Sequence, residues 1–205
     1  MAIFLPGAPM PSPEMTVVVR PTRESDAPFL AEIERSAATR FRDAPGLEWV
    51  ADEPVAPEDL HRKYARAGTS WVAVDEADRP FGWVVAERFG DALHIWEIDV
   101  RRDRQGQGAG RALLEAAFAH ARREGLAAVT LTTFRGLAWN EPFYARLGFR
   151  TLGEDELGER LAGVLADERA RGFPAERRCA MRLELSDLPL RSGGSTGEAG
   201  EGGEG

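Results

Sequence analysis

Ile98-Asp-Val-Arg-Arg-Asp-Arg-Gln-Gly-Gln-Gly-Ala-Gly-Arg-Ala-Leu-Leu114 is the stretch from which the rest of the chain is read. A β-branched run enters a glycine-rich turn, and the turn opens a long run of helix formers. In that context the backbone N–H groups from Gly106 to Arg111 are free to point at an anion. Glycine allows close approach of a ligand to the backbone, and the helix start adds roughly half a positive charge. Arg101, Arg102, Arg104 and Arg111 add local positive charge that the whole-chain balance of −8 conceals. A Walker A loop is excluded, because no Gly-Lys-Ser/Thr follows. A dinucleotide fingerprint fits poorly, because position 111 is Arg and the next strand carries Thr132 and Thr133 where an acidic residue is needed.

Working outward, the upstream residues predict a strand at 17–20, a helix at 24–40 and a loop at 43–56. A second helix opens at Pro57 and runs to about Ala67. Strands at 70–75, 81–88 and 93–100 are close enough together to form an antiparallel meander. Downstream, a helix spans 108–124 with Ala112, Leu113, Ala116, Ala117 and Ala121 along one side, and it ends at Gly125. A strand at 128–134, a short helix at 141–147, an extended stretch at 149–152, a helix at 155–171 and a strand at 179–185 complete the domain. A meander followed by strand–helix–strand predicts an α/β (α+β) fold with a mixed, mostly antiparallel sheet of six to seven strands and about four flanking helices.

The spacing Gln105-x-x-Gly108-x-Gly110 resembles the acetyl-CoA pyrophosphate loop of the GNAT superfamily (Gcn5-related N-acetyltransferases). Downstream, Asn140 followed by Tyr144-x-x-Leu147-Gly148-Phe149 is similar to that family's second signature, and the order of elements over residues 16–186 matches as well. The resemblance implies an acetyl-CoA-dependent N-acetyltransferase that releases CoA and acetylates a primary amine of a small molecule or peptide by direct attack. A non-catalytic acyl-CoA-binding module is the alternative. The resemblance further implies that Ile98, Asp99 and Val100 present backbone to the pantetheine arm. It implies that Gln105, Gly106, Gln107, Gly108, Ala109, Gly110 and Arg111 hold the pyrophosphate, and that Asn140 contacts the pantetheine arm. The fourth and fifth strands are expected to splay into a groove.

Acyl transfer from a thioester to an amine needs a neutral amine, a donor to the oxyanion and a proton for the leaving thiolate. A backbone N–H near Ile98 suits the oxyanion. Tyr144 suits the acid, since a phenol of pKa about 10 can donate to a thiolate of pKa about 8.5. Glu97 and His94 are the candidate bases, with a water chain as the third possibility. Strict alternation puts His94 and Trp96 on one strand face and Glu97 on the other, unless a bulge intervenes. Acceptor recognition is expected from among Phe41, Trp49, Val50, Trp71, Trp83, Trp96, Phe134 and Trp139. The acidic run Glu48, Asp52, Glu53, Glu58 and Asp59 reads as a solvated charge run, with attraction of a cationic amine as the alternative. His61 is expected to face solvent and His120 to lie at a surface or edge. Cys179 reads as a small buried hydrophobe. No pair of His or Cys has metal-ligand spacing, so no metal is expected.

Composition sets the outer bounds. The chain has 205 residues, of which 43% are hydrophobic and 29% charged, enough for one domain with a real core. The acidic balance argues against nucleic acid as a partner. The lack of a roughly 20-residue apolar run argues against a membrane span, and the single cysteine against a disulfide framework. A cytoplasmic protein, with a homodimer as one oligomeric state to test, is the expectation. Pro6, Pro9, Pro11 and Pro13 mark residues 1–15 as a disordered extension. The Gly/Ser/Glu composition marks 191–205 as a disordered tail, leaving 16–190 as the domain.

Overall fold

The computed structural model describes residues 17–189, so the two expected terminal appendages lie outside the described residues. Seven strands form one sheet: β1 (Val18–Pro21), β2 (Ser70–Val74), β3 (Pro80–Phe89), β4 (Ala92–Val100), β5 (Ala128–Phe134), β6 (Arg150–Thr151) and β7 (Arg178–Glu184). Their spatial order is β1-β2-β3-β4-β5-β7-β6. Every pairing is antiparallel except β4 with β5. The helices are α1 (Ala27–Ala38), α2 (Glu58–Ala67), α3 (Ala109–Arg123), α4 (Glu141–Ala145) and α5 (Gly158–Ala170). Sequence reading located each element to within a few residues. The main difference is the first helix, whose expected span divides into a 3-10 turn at Glu24–Asp26, α1, and a second 3-10 turn at Thr39–Asp43.

The sheet is covered on both faces, and the period of two in the strands sorts residues between them. Trp71, Ala73, Val84 and Ala86 pack with Leu113, Leu114 and Ala117 of α3. Val72, Val74, Trp83 and Val85 pack with Leu30 and Ile33 of α1. Double coverage explains why every residue of β2 is buried. Each fully buried leucine in these layers contributes about 1.5 to 3 kcal/mol. No helix among the described residues is long and apolar enough to cross a membrane.

Two irregularities shape the centre of the sheet. In the β3–β4 ladder Val85 faces Glu97 while Ala86 faces Ile95, so Trp96 is an extra residue in β4. This bulge lets Ile95 and Ile98, three positions apart, both pack with the α3 layer. It therefore puts Glu97 on the face opposite α3, the face that His94 also takes, which corrects strict alternation. The second irregularity is that the parallel β4–β5 ladder stops at Ile95 with Leu131. Beyond it the two strands run on to Val100 and Phe134 without pairing, and the sheet opens as expected.

Candidate active site

The opening between β4 and β5 is the floor of a cleft of about 1040 Å³. Residues 95–100 of β4 form one wall and residues 131–134 of β5 the other. The glycine loop and the start of α3 close one end, with Asn140, Phe143 and Tyr144 of the α4 region beside them. Glu34 of α1, His61 and Tyr64 of α2, and Glu168 of α5 line the rest, together with the segment 50–56.

At the loop end, Gly106 and Gly108 adopt left-handed φ values of 76° and 87°. Those angles favour glycine, and nothing lies within 4 Å of where a Cβ would stand at either position. The first hydrogen bond of the helix runs from the Ala112 N–H to the Gly108 carbonyl. The N–H groups at 106–111 thus remain available, as expected of a helix start. Ala109 turns its methyl into the core. Gln105 does not face outward: its amide donates to the Val100 carbonyl at 2.9 Å and its oxygen accepts from Arg40 at 3.1 Å. The guanidinium of Arg40 also lies 4.2 Å from the centre of the Trp139 ring. Gln107 is not part of the cleft wall; its amide donates to the Asp103 carbonyl at 3.2 Å. Arg104 and Arg111 line this end, so positive charge and free N–H groups coincide there.

Further in, the charge changes sign. Glu97 and Asp99 point to the same side of β4, opposite Val85 and Trp83 of β3, and their carboxyl groups shift each other's acidity. Burial pushes Glu97 well above the usual carboxylate range, with Asp99 and Glu34 as neighbouring negative charges adding to the shift. Burial, with Glu34 again contributing, pushes Asp99 up to about 8. Glu34 is raised by its own burial, although both of its oxygens accept from the Ala56 N–H. The Tyr144 ring packs edge-on against Phe143 and Phe149, and burial plus the nearby Asp99 raises its phenol. Asn140 caps α4 through its carbonyl, which accepts from the N–H groups of Phe143 and Tyr144.

Glu168 and Arg178 line the far end of the cleft as a half-buried ion pair at 2.6 Å. Thr132 donates to the same carboxylate, also at 2.6 Å. Arg178 also lies 4.3 Å from the centre of the Phe134 ring. This group was not read from the sequence, because its members come from α5, β5 and β7 with no local motif.

Three expectations are corrected by the fold, and the acidic run is placed. His94 is fully buried, lies in the part of β4 still paired with β5, and does not line the cleft. Its Nδ1 shares a hydrogen bond with Thr130 Oγ1 at 3.0 Å, and burial lowers its pKa to about 3. It is a neutral structural group, not a base. His61 does not face solvent: it is 3% exposed, stacks edge-on against Trp83 at 4.6 Å and lines the cleft. Among the aromatic acceptor candidates, Trp71 packs with the α3 core and Trp49 packs on Phe173, both away from the cleft wall. Of the acidic run only Glu53 reaches the cleft, and it pairs with Arg171 at 3.2 Å. Asp52, Glu58 and Asp59 are spent on exposed pairs with Arg42 and Arg62. His120 is half-buried against Trp71, and Cys179 is buried, as read.

The sequence pattern described as the acetyltransferase (GNAT) family matches residues 32–149, from α1 through the glycine loop to Phe149. The chain belongs to this acetyltransferase family. A curated relative in Escherichia coli (strain K12), the peptidyl-lysine N-acetyltransferase YjaB, is 33% identical over 103 residues, covering 50% of this chain and 63% of that protein. The chain thus spans less than two thirds of that curated relative. Among solved structures, the PaiA N-acetyltransferase of Thermoplasma acidophilum, in complex with coenzyme A, superimposes with a TM-score of 0.63 at 13% identity, covering 83% of this chain and 99% of that one. The ribosomal-protein-S18-alanine N-acetyltransferase of Escherichia coli gives 0.57 at 18% identity, covering 85% and 97%. At these identities the likeness is one of fold, and the GNAT architecture of strands and helices is the shared feature.

Proposed function

We propose that this GNAT-family protein transfers the acetyl group of acetyl-CoA to a primary amine, releasing CoA. The observation that carries the reading is the joint position of two features: free N–H groups on a glycine-lined helix start, and a gap between two strands whose ladder has ended. The residues fit a diphosphate, since the loop leaves open space where side chains would otherwise stand and the adjoining arginines are cationic. In this reading Gly106, Gly108, Gly110 and Arg111 hold the diphosphate through their backbone. Gln105 braces the loop by its bonds to Val100 and Arg40 instead of contacting the ligand through its side chain. Ile98 to Val100 offer the β4 edge that β5 leaves unpaired to the pantetheine amides, and Asn140 flanks the same arm.

Acetyl-CoA bound there supplies an activated acyl thioester. The chain's own residues then supply the proton traffic. Tyr144, its phenol kept protonated by burial, is an O–H donor for the departing sulfur. Glu97, in the opened part of β4, is a proton acceptor for the incoming amine. The curated relative's acceptor makes a protein lysine one of the amines to test, beside small alkylamines. A cytoplasmic location suits a reaction that draws on acetyl-CoA, and fractionation tests it; a homodimer is tested by sedimentation.

Binding is tested first. CoA is expected to raise the melting temperature more than ATP or NAD does; a larger shift with NAD overturns the loop assignment. Turnover follows, with acetyl-CoA and a panel of polyamines, aminoglycosides, arylalkylamines, amino acids and peptides. Release of CoA that depends on one class of amine is the expected result. CoA binding without transfer to any amine would leave only an acyl-CoA-binding module.

A further inference from the structure

Trp96 is the extra residue of the β4 bulge and the first residue of that strand beyond the β4–β5 ladder. It alone in β4 is exposed, at 41%, although β2 and most of β3 beside it are buried. The ring is nonetheless held in place. Its Nε1 donates to Glu87 at 2.9 Å, and it meets His94 edge-on at 4.6 Å and Phe89 at 6.0 Å. Tyr64 of α2, which also lines the cleft, donates to the same Glu87 carboxylate at 3.5 Å. Leu60, four residues before Tyr64, lies on the same side of α2 and is 37% exposed. Of the five large hydrophobic side chains exposed among the described residues, only Leu60 and Trp96 line the cleft. An aromatic plane that is fixed, uncovered and set in a cleft wall suits a ligand better than it suits a core.

Resting on the acetyl-transfer reading, we propose that the acceptor is an arylalkylamine, whose ring lies against Trp96 and Leu60 while its amine reaches the opened part of β4. The charges around Trp96 select a neutral group for the ring position. The guanidinium of Arg160 lies 4.0 Å from the centre of the Phe89 ring, which itself packs on Trp96. The Glu87 carboxylate already accepts from two donors. A second ammonium group there would meet Arg160 and lose its water against Leu60 and Trp96; a flat apolar ring suffers neither cost. The reach also fits. A strand rises about 3.3 Å per residue, so Ile98, where the edge offered to pantetheine begins, stands at most about 7 Å from Trp96. Two or three carbons between ring and nitrogen bridge that span.

This arrangement also gives the buried His94 a part. Bonded to Thr130 through Nδ1 at 3.0 Å, it backs the Trp96 ring and holds its plane. Trp96 itself touches the body of the acceptor and not the reacting atoms. Its removal should therefore weaken acceptor binding more than it slows transfer.

The test compares phenethylamine, ethylamine, putrescine and a lysine peptide as acceptors with acetyl-CoA, in wild type, Trp96→Ala and Trp96→Phe. Wild type is expected to favour phenethylamine over the other three by about tenfold or more in kcat/KM. Trp96→Ala is expected to raise the phenethylamine KM by about tenfold with a much smaller change in kcat, and to lose about tenfold more with phenethylamine than with ethylamine. Trp96→Phe, which keeps a ring, should recover most of that loss. Both variants should bind CoA within about twofold of wild type, which shows that the fold is kept. An equal loss with every amine, or a preference for putrescine or the lysine peptide, overturns the proposal while the acetyl-transfer reading stands. Turnover of no amine by wild type overturns that reading instead, and fluorine NMR then decides the aryl site alone. Labelling with 5-fluorotryptophan gives one resonance for each of the five tryptophans, and the one that Trp96→Phe removes belongs to Trp96. Phenethylamine added to the CoA-loaded protein is expected to shift that resonance, and ethylamine to leave it in place; no shift with phenethylamine refutes the aryl site.

Discussion

Substituting Gly108 by alanine separates the loop's backbone geometry from its role as a cradle. Gly108 sits at φ 87°, and a methyl there would meet nothing within 4 Å, so no clash inside the protein contributes. The cost to folding is the left-handed backbone alone, about 1–2 kcal/mol for a non-glycine residue. For a chain of this size that corresponds to a loss of roughly 2 to 8 °C in melting temperature. Gly90, in the β3–β4 turn, offers the matched control: its φ is 58°, and again nothing lies within 4 Å of a Cβ. Gly90→Ala should therefore lose comparable stability. Only Gly108→Ala should also keep the diphosphate from the backbone, raising the CoA dissociation constant at least about tenfold, or 1.4 kcal/mol. Calorimetric titration with CoA, beside a melting curve for each variant, reads both effects. Unchanged CoA affinity in Gly108→Ala, or equal losses of affinity in both variants, would show that the loop is a turn and not a cradle.

Tyr144→Phe should lower kcat about 100-fold while the CoA dissociation constant moves less than about twofold, since only the O–H is removed; titration and steady-state rates check both, and an unchanged kcat would refute the assignment. Arg178→Ala should cost about 3 kcal/mol in urea unfolding, because it strands the Glu168 carboxylate in a pair whose side chains are only 11% and 13% exposed. A loss under about 1 kcal/mol would mean that Thr132 and water compensate. His94 binds its proton in the unfolded chain near pH 6.5 but in the folded protein only near pH 3, so stability is lost as pH falls through this window. Between pH 6.5 and about pH 5 the loss is about 2 kcal/mol, and His94→Gln should flatten that slope. Gly82→Ala should destabilise by about 1–3 kcal/mol, because its Cβ would stand 3.0 Å from the Asp99 carbonyl and 3.1 Å from a Val100 methyl; a neutral result would show that β4 yields there.

Much of this protein was legible in one dimension because its signals are local. The turn at 105–111 announces itself by glycines and by the helix that follows, and periods of two and about three and a half locate strands and helices. The Tyr144-to-Phe149 stretch carries the family resemblance on four of its six positions. Those features determined the fold class and the place of the glycine loop at the start of a helix. What only the tertiary structure decided depends on register and on contacts between distant segments. One extra residue at Trp96 changes which face Glu97 occupies, and no composition rule marks a bulge. His94 and Glu97, three residues apart, differ in fate because the β4–β5 ladder ends between them. Glu34 joins Glu97 and Asp99 from a helix more than sixty residues upstream, and the Glu168–Arg178 pair assembles from separate elements. Burial then alters the acidity of each group, and burial is a property of the packed chain.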